Sequence, residues 1–231
     1  MSRRDGGPTE ETPEIGTWRK HVREQAGDGA PVVVLLHGRG SDERDLLALR
    51  GGLRGGALIT PRAPHPAAPW GYGPGWAWYR YVADDRMVEE TLDRSLRALD
   101  RFLDRLPGLL PWKPGPLLLG GFSQGATTSL AYALRYPERA EGVLVFSGFL
   151  AAEAIAPSTH ASGLPVFWGH GRRDPAIPFE LADRGRRRLA GAGADLRIAD
   201  YDIGHWIDEG EVRDAALWVE ELLERRGDGS P

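Results

Sequence analysis

The sequence contains no cysteine, so disulfide bonds, thiolate metal sites and a cysteine nucleophile are all excluded. Lysine is nearly absent too, because Lys20 and Lys113 are the only two in the chain. The formal net charge of −4 argues against a partner with a phosphate backbone, so we expect no nucleic acid binding. No apolar run approaches the roughly 18 residues of a membrane span, and residues 1–14 lack the apolar stretch of a secretory signal. We therefore expect a cytoplasmic protein without a stable membrane anchor.

The remaining composition suits one globular domain, since 231 residues with 41% hydrophobic content can bury a sizeable core. We expect a partly flexible N-terminal extension over 1–29, a single domain over 30–226 and a flexible tail over 227–231. Short apolar runs alternate with segments of helical period, which predicts an α/β fold with a mostly parallel central sheet and helices on both faces. The strand candidates are PVVVLLH from Pro31, ALIT from Ala57, PLLLGGF from Pro116, GVLVFSG from Gly142, PVFWGH from Pro165 and DLRIADY from Asp195.

Residues 84–108 show the clearest helical pattern in the chain. Their apolar side chains recur with a period near 3.6, which predicts a surface helix with one buried face. That apolar stripe consists of Val88, Leu92, Leu96, Leu99, Leu103 and Leu106. Further helices are predicted after Ser123, Pro178 and Glu211.

The segment from Pro61 to Tyr81 differs from the other connections. It holds five prolines, three glycines and six aromatic residues in 21 positions. A connection of this length is usually functional or disordered, and the aromatic content argues against disorder. The segment is either a surface loop pinned by buried tryptophans or a wall or lid over an apolar pocket.

The stretch GGFSQGATTSLAYAL places Ser123 between Gly121 and Gly125. An apolar strand candidate leads into it and a helical pattern follows, which is the strand, turn and helix order of a nucleophile elbow. Such a turn strains the serine backbone and leaves little room for side chains two positions away. The pattern therefore indicates Ser123 as a nucleophile, although a G-x-S-x-G match alone is weak evidence.

A nucleophilic serine needs a base. In folds with this strand, turn and helix arrangement, the acid and then the histidine follow the serine along the chain. Three histidines follow Ser123. His160 lies in a polar loop with no strand before it, and His170 precedes the best acid. His205 lies in a loop between the last strand candidate and the final helix, so it is the predicted base.

The predicted acid is Asp174, just past the strand PVFWGH in the loop GRRDPAIP. The carboxyl ends of strands are where catalytic groups gather in open α/β sheets. An aspartate before a proline is also a common structural turn residue. Asp202, close before the predicted base, is kept as the alternative acid.

A loop after the first strand candidate, HGRGSD, is predicted to supply one half of an oxyanion hole. Gly38 and Gly40 let the backbone turn so that amides face the pocket, with the Arg39 amide as donor. The Gln124 amide, at the start of the helix after the serine, is the predicted second donor. His37 is expected to support this loop rather than to act as a base.

The ordered set LLHGRGSDERDLLAL, LITPRAPH, GGFSQGATTSLAYAL, GRRDPAIP and GHWI resembles the phospholipase/carboxylesterase family of α/β-hydrolases, which includes acyl-protein thioesterases and bacterial serine esterases. The resemblance covers roughly residues 30 to 225. It implies an α/β-hydrolase fold, the same triad of Ser123, Asp174 and His205, and the same two oxyanion amides. It also suggests that Trp78 and its neighbours Trp76 and Tyr79 line the acyl site.

Two positions depart from the family pattern. Arg39 is charged where eukaryotic thioesterases generally have an apolar residue, and Trp206 follows the histidine where many relatives have a smaller or acidic one. Gly38, Gly40 and Trp206 complete the candidate substrate contacts. Exposed apolar residues near the tryptophan-rich segment would suit a homodimer.

These observations predict a serine hydrolase that cleaves carboxylic esters, or thioesters or lysophospholipids, through an acyl-enzyme on Ser123. No metal and no organic cofactor is needed for that chemistry. Because the base must be neutral to accept a proton, activity should fall in mildly acidic solution. An acyltransferase or peptidase on the same triad, and a noncatalytic ligand-binding protein with the same fold, are the alternatives.

Overall fold

The structure is a computed structural model that describes residues 13–53, 55–152 and 161–227. His160 and, apart from Gly227, the predicted tail at 227–231 lie outside the described residues. The strands are, in chain order, β1 (Trp18–Val22), β2 (Val32–Leu36), β3 (Ala57–Pro61), β4 (His65–Pro66), β5 (Trp76–Ala77), β6 (Tyr81–Ala83), β7 (Arg86–Met87), β8 (Leu117–Phe122), β9 (Gly142–Phe146), β10 (Pro165–Gly171) and β11 (Asp195–Tyr201).

Seven of these strands form one sheet in the order β1-β3-β2-β8-β9-β10-β11. All neighbouring pairs are parallel except β1 and β3, which pair antiparallel at one edge. The predicted mostly parallel sheet is therefore confirmed, and each of the six strand candidates overlaps one of its parallel strands. The antiparallel edge strand β1 lies within the segment described from the sequence as an extension, and it was not identified there.

Helices cover both faces of this sheet, as predicted. The α-helices are α1 (Glu89–Asp104), α2 (Leu106–Leu109), α3 (Gln124–Arg135), α4 (Phe179–Gly191) and α5 (Glu209–Gly227), and 3₁₀-helices span Asp45–Gly51 and Ala68–Trp70. Alternate residues of the buried strand β2 point to opposite faces. Val32, Val34 and Leu36 pack with α1, whereas Val33 and Leu35 pack with α5. Burial on both faces explains why the inner parallel strands read as apolar runs, whereas the edge strand β11 has no buried residue.

The helix predicted over 84–108 is present as α1, continued by the short α2. Leu92, Leu96 and Leu99 are all buried on its inner face together with Phe102. This face holds α1 against the same core as the segment from Pro61 to Tyr81, which contributes Trp78 and other residues to that core. The packing fixes this long connection beside the carboxyl ends of β2 and β8.

Candidate active site

Ser123 lies at the sharp turn between β8 and α3. Its backbone has φ 55° and ψ −117°, a conformation that costs free energy for a residue with a side chain. A Cβ atom at Gly121 would come within 2.4 Å of the Leu36 carbonyl oxygen, and one at Gly125 within 2.0 Å of the same atom. Only glycine fits at both positions, which is the steric condition expected for this turn. The Ser123 amide donates to the Phe146 carbonyl at 2.9 Å and helps to hold the turn in place.

The structure brings Ser123, His205 and Asp174 together in one hydrogen-bonded chain. The Nε2 atom of His205 lies 2.9 Å from Ser123 Oγ, and its Nδ1 atom lies 2.7 Å from Asp174 Oδ2. These contacts join residues 82 and 31 positions apart, so only the fold places them together. Nδ1 donates to the carboxylate, which leaves Nε2 free to accept the proton of the serine hydroxyl.

Asp174 is fixed from its other side by the backbone. Its Oδ1 atom accepts hydrogen bonds from the amides of Ala176 and Ile177, each at 2.8 Å. Burial alone would raise the pKa of this carboxyl, but the hydrogen bonds from His205 and from the two amides outweigh it, so the pKa lies below its usual range. Asp174 is therefore a carboxylate whose second oxygen is left for the imidazole. The alternative acid, Asp202, is exposed and pairs with Arg173 at 2.9 Å.

The ring of His205 also has an apolar neighbour that sequence reasoning missed. Phe122, the last residue of β8, lies 4.7 Å from it between ring centroids. The contact restricts rotation of the imidazole between the serine and the aspartate. The signal in the sequence was the aromatic residue directly before Ser123.

His37 supports the loop between β2 and the first 3₁₀-helix, as expected. Its Nε2 atom accepts from the Ala63 amide at 3.0 Å, so the proton is on Nδ1, which contacts the Gly38 carbonyl at 2.7 Å. Burial lowers the pKa of this histidine and favours its neutral form. His37 thus ties the loop of Gly38 to the segment that follows β3, and it makes no contact with Ser123.

The two predicted oxyanion donors are both unoccupied by other groups. Within the described parts of the chain, neither the Arg39 amide nor the Gln124 amide donates to another protein atom. The Gly40 amide cannot join them because it donates to the Trp76 carbonyl at 2.8 Å. Gly40 itself has φ 79°, and a Cβ atom there would lie 2.4 Å from the Tyr72 carbonyl oxygen. Its role is to shape the turn that carries Arg39.

The side chain of Gln124 has a second function that the sequence did not indicate. Its Oε1 atom accepts from the Trp78 amide at 2.8 Å, and its Nε2 atom donates to the Tyr79 carbonyl at 2.7 Å. The Trp78 indole donates to the His37 carbonyl at 2.9 Å, and the Ser95 hydroxyl donates to the Trp78 carbonyl. Buried hydrogen bonds therefore tie the segment around Trp78 to the serine turn.

The triad opens into a cleft of about 290 Å³. Of the predicted substrate contacts, Gly38 and Tyr79 line it, as do Arg39 and Gln124, which carry the two predicted oxyanion amides. The structure does not place Gly40, Trp76, Trp78 or Trp206 in the cleft: Trp78 is fully buried in the core, and Trp206 is 54% exposed on the surface. The cleft residues that sequence reasoning missed are Ser41, Asp45, Tyr81, Phe122, Phe149, Ala176 and Ile177.

No group of three or more histidine, aspartate or glutamate side chains in the described chain is arranged to hold a metal ion. Among the helices that the structure describes between residues 13 and 227, none is long and apolar enough to cross a membrane.

Known proteins resemble this chain in sequence and in fold. The model of the phospholipase/carboxylesterase family matches residues 19–223. The chain is 27% identical over 218 residues to an acyl-protein thioesterase 1 of Aspergillus fumigatus, covering 85% of this chain and 90% of that protein. It is 31% identical over 143 residues to a rice (Oryza sativa subsp. japonica) protein named probable inactive carboxylesterase, covering 60% of this chain and 58% of that protein.

Among solved structures, the crystal structure of esterase PE8 superimposes with a TM-score of 0.76 and 29% identity, covering 88% of this chain and 97% of that one. These matches confirm the family resemblance predicted from the sequence. The fold is of the α/β-hydrolase type, and the chain belongs to the phospholipase/carboxylesterase family.

Proposed function

We propose that this protein hydrolyses carboxylic esters or thioesters through an acyl-enzyme formed on Ser123. The observation that carries the proposal is the unbroken hydrogen-bonded chain from Ser123 Oγ through His205 to Asp174, beside two free backbone amides at the floor of a cleft. A small-molecule ester is the substrate class, in line with the names of the relatives. The homodimer and the cytoplasmic location stay predictions.

In the first half of the reaction, Ser123 Oγ attacks the carbonyl carbon while His205 Nε2 takes the hydroxyl proton. Asp174 stabilises the imidazolium that results and keeps its Nδ1 proton in place. The carbonyl oxygen becomes negatively charged and accepts hydrogen bonds from the amides of Arg39 and Gln124. The bond to the alcohol or thiol then breaks, and His205 gives its proton to that leaving group.

In the second half, water replaces the leaving group. His205 removes a proton from the water while the water oxygen bonds to the acyl carbon. The oxyanion of the tetrahedral species again accepts hydrogen bonds from the two amides. The bond to Ser123 Oγ breaks and the proton returns to the serine. The products are a carboxylic acid and the free enzyme, with no oxidant, metal or cofactor required by the chemistry.

The test is steady-state hydrolysis of p-nitrophenyl butyrate by the unmodified protein and by Ser123→Ala and His205→Ala. We expect turnover by the unmodified protein, with losses of at least about 10³-fold in both variants. Asp202→Asn is a matched control because it alters an exposed aspartate three residues from His205. Full activity in Ser123→Ala, or no turnover of any ester by the unmodified protein, would count against the proposal; the latter result would favour a noncatalytic ligand-binding protein.

A further inference from the structure

Arg39 is a charged cleft residue that the triad mechanism uses only through its backbone. Its Cζ atom lies 4.7 Å from the centroid of the Tyr72 ring, a cation–π distance. Among the residues that the structure describes, the Arg39 side chain forms no ion pair and no hydrogen bond. The ring therefore holds the guanidinium in place while its N–H donors stay open to a ligand.

The distance from this charge to the reacting carbonyl is limited by covalent structure. The amide nitrogen of Arg39 is one of the two proposed oxyanion donors, and the guanidinium belongs to the same residue. Six bonds separate that nitrogen from Cζ, so the two lie no more than about 7 Å apart even in an extended side chain. Each hydrogen bond to the substrate adds about 3 Å, so a substrate held by both groups carries its complementary charge within roughly 14 Å of the carbonyl oxygen.

A second free donor lies on the same turn. Ser41 lines the cleft, and its hydroxyl makes no hydrogen bond to any described group. Tyr79 and Tyr81 line the same cleft. Burial raises the pKa of both phenols, and the charge of Arg39 partly offsets that rise. The charge of Arg39 thus acts inside the cleft as well as at its edge.

The cleft also contains one negatively charged side chain, which would disfavour an anionic substrate. Asp45, the first residue of the 3₁₀-helix Asp45–Gly51, lines the cleft and forms no ion pair with Arg39. Its carboxylate would favour a cationic substrate, which is the competing outcome. Arg39 is favoured over Asp45 because its backbone amide is one of the two proposed oxyanion donors and its guanidinium lies over the Tyr72 ring.

We infer that Arg39 selects short esters that carry a negative charge, such as a carboxylate, near the scissile carbonyl. The inference rests on the proposed hydrolase function. Half-esters of short dicarboxylic acids fit this description, as do acetyl esters of short hydroxy acids. The volume of about 290 Å³ is at the small end of small-molecule sites and suits such compounds.

The experiment compares anionic and neutral esters of matched length. Monomethyl glutarate and methyl pentanoate place the charge on the acyl side, whereas 3-acetoxypropanoate and propyl acetate place it on the alcohol side. Product formation is followed by NMR, and kcat/KM is measured for each ester. We expect the unmodified protein to prefer the anionic member of at least one pair. The preferred pair shows whether Arg39 recognises a charge on the acyl side or on the alcohol side of the ester.

Arg39→Met keeps the length of the side chain and its backbone amide but removes the charge. We expect it to lower the anionic-to-neutral ratio of kcat/KM by about tenfold or more, and Arg39→Lys to restore part of that ratio. Asp45→Asn is the matched control and should not lower the ratio. Added salt should weaken the preference of the unmodified protein, since the guanidinium is exposed.

The inference is overturned if both members of each pair are hydrolysed with a ratio that Arg39→Met leaves unchanged. It is also overturned if Asp45→Asn lowers the ratio as much, or if cationic esters are preferred. If the unmodified protein hydrolyses none of these esters and no p-nitrophenyl ester, the proposed function fails instead. The two failures are therefore distinguishable.

Discussion

Glu211 provides the sharpest stability prediction, because it is a carboxyl group buried without a partner. The residue is 0% exposed near the start of α5, and neither of its side-chain oxygens has a hydrogen-bond partner among the described residues. It packs directly on Gly169 of β10, where a Cβ atom would come within 2.1 Å of Oε1. Burial, followed by the nearby charges of Asp208 and Asp214, raises the pKa of Glu211 to about 8, and Arg186 only partly opposes this.

This raised pKa makes stability depend on pH in a defined direction. The folded protein keeps a proton on Glu211 up to about pH 8, whereas the unfolded chain releases it near the ordinary value of 4.5. The folded state therefore binds more protons between these values, and the free energy of unfolding falls as pH rises through that window. At pH 7 the loss relative to acid solution is about 3 kcal/mol, since each pH unit corresponds to about 1.4 kcal/mol.

Glu211→Gln removes the titration while keeping the shape of the side chain. We expect the variant to be little different from the unmodified protein near pH 5, to gain still more stability at pH 8 than at pH 7, and at pH 7 to be more stable by about 3 kcal/mol. For a chain of this length that gain corresponds to a rise in Tm of roughly 6 to 12 °C. The measurement is urea unfolding followed by circular dichroism at pH 5, 7 and 8.

Glu224→Gln is the matched control, because Glu224 is an exposed residue of the same helix and should show no such pH dependence. A stability difference for Glu211→Gln that is the same at all three pH values would refute the reasoning. So would a variant that is less stable than the unmodified protein at pH 8.

Three further predictions concern the supports of the triad. Asp174→Asn should lower kcat by about 10³- to 10⁴-fold through loss of the correct imidazole tautomer, whereas Asp202→Asn should leave ester hydrolysis near normal. Gln124→Ala should lower the free energy of unfolding by about 2 kcal/mol in urea titrations, because the Trp78 amide loses its buried acceptor. His170→Phe removes the donor to the Ile177 carbonyl at 2.9 Å. It should lower kcat about tenfold with little change in KM. A KM that changes by the same factor as kcat would disprove that positioning role.

The sequence predicted the inner parallel strands because burial on both faces leaves an apolar run. β2 reads VVVLL with every residue buried. β1 was missed because it is an edge strand, where WRKHV shows no buried residue and no clear alternation. The sequence indicated Ser123, Asp174 and His205 as a candidate triad because each follows a strand, and their order along the chain left His205 as the single suitable base. The structure brings these side chains into hydrogen-bond contact, and their catalytic roles stay predictions.

The wall of the cleft could not be predicted from the sequence in the same way. The hydrogen bonds of Gln124 to the Trp78 amide and the Tyr79 carbonyl join positions about 45 residues apart, and no local pattern encodes them. Tryptophan is apolar enough to line a pocket or to fill a core, so composition alone did not separate the two uses of Trp78. The contacts of its indole with the His37 carbonyl and of its backbone with Gln124 turn it inward.

The central claim is that Ser123 carries the acyl group during turnover. The direct test is intact-protein mass spectrometry of a sample mixed with excess p-nitrophenyl acetate and quenched in acid, followed by peptide mapping. We predict one acetyl adduct located on Ser123, formed with a burst of p-nitrophenol and absent from Ser123→Ala. Turnover of the ester with no adduct on Ser123, or an equal adduct in Ser123→Ala, would contradict the account.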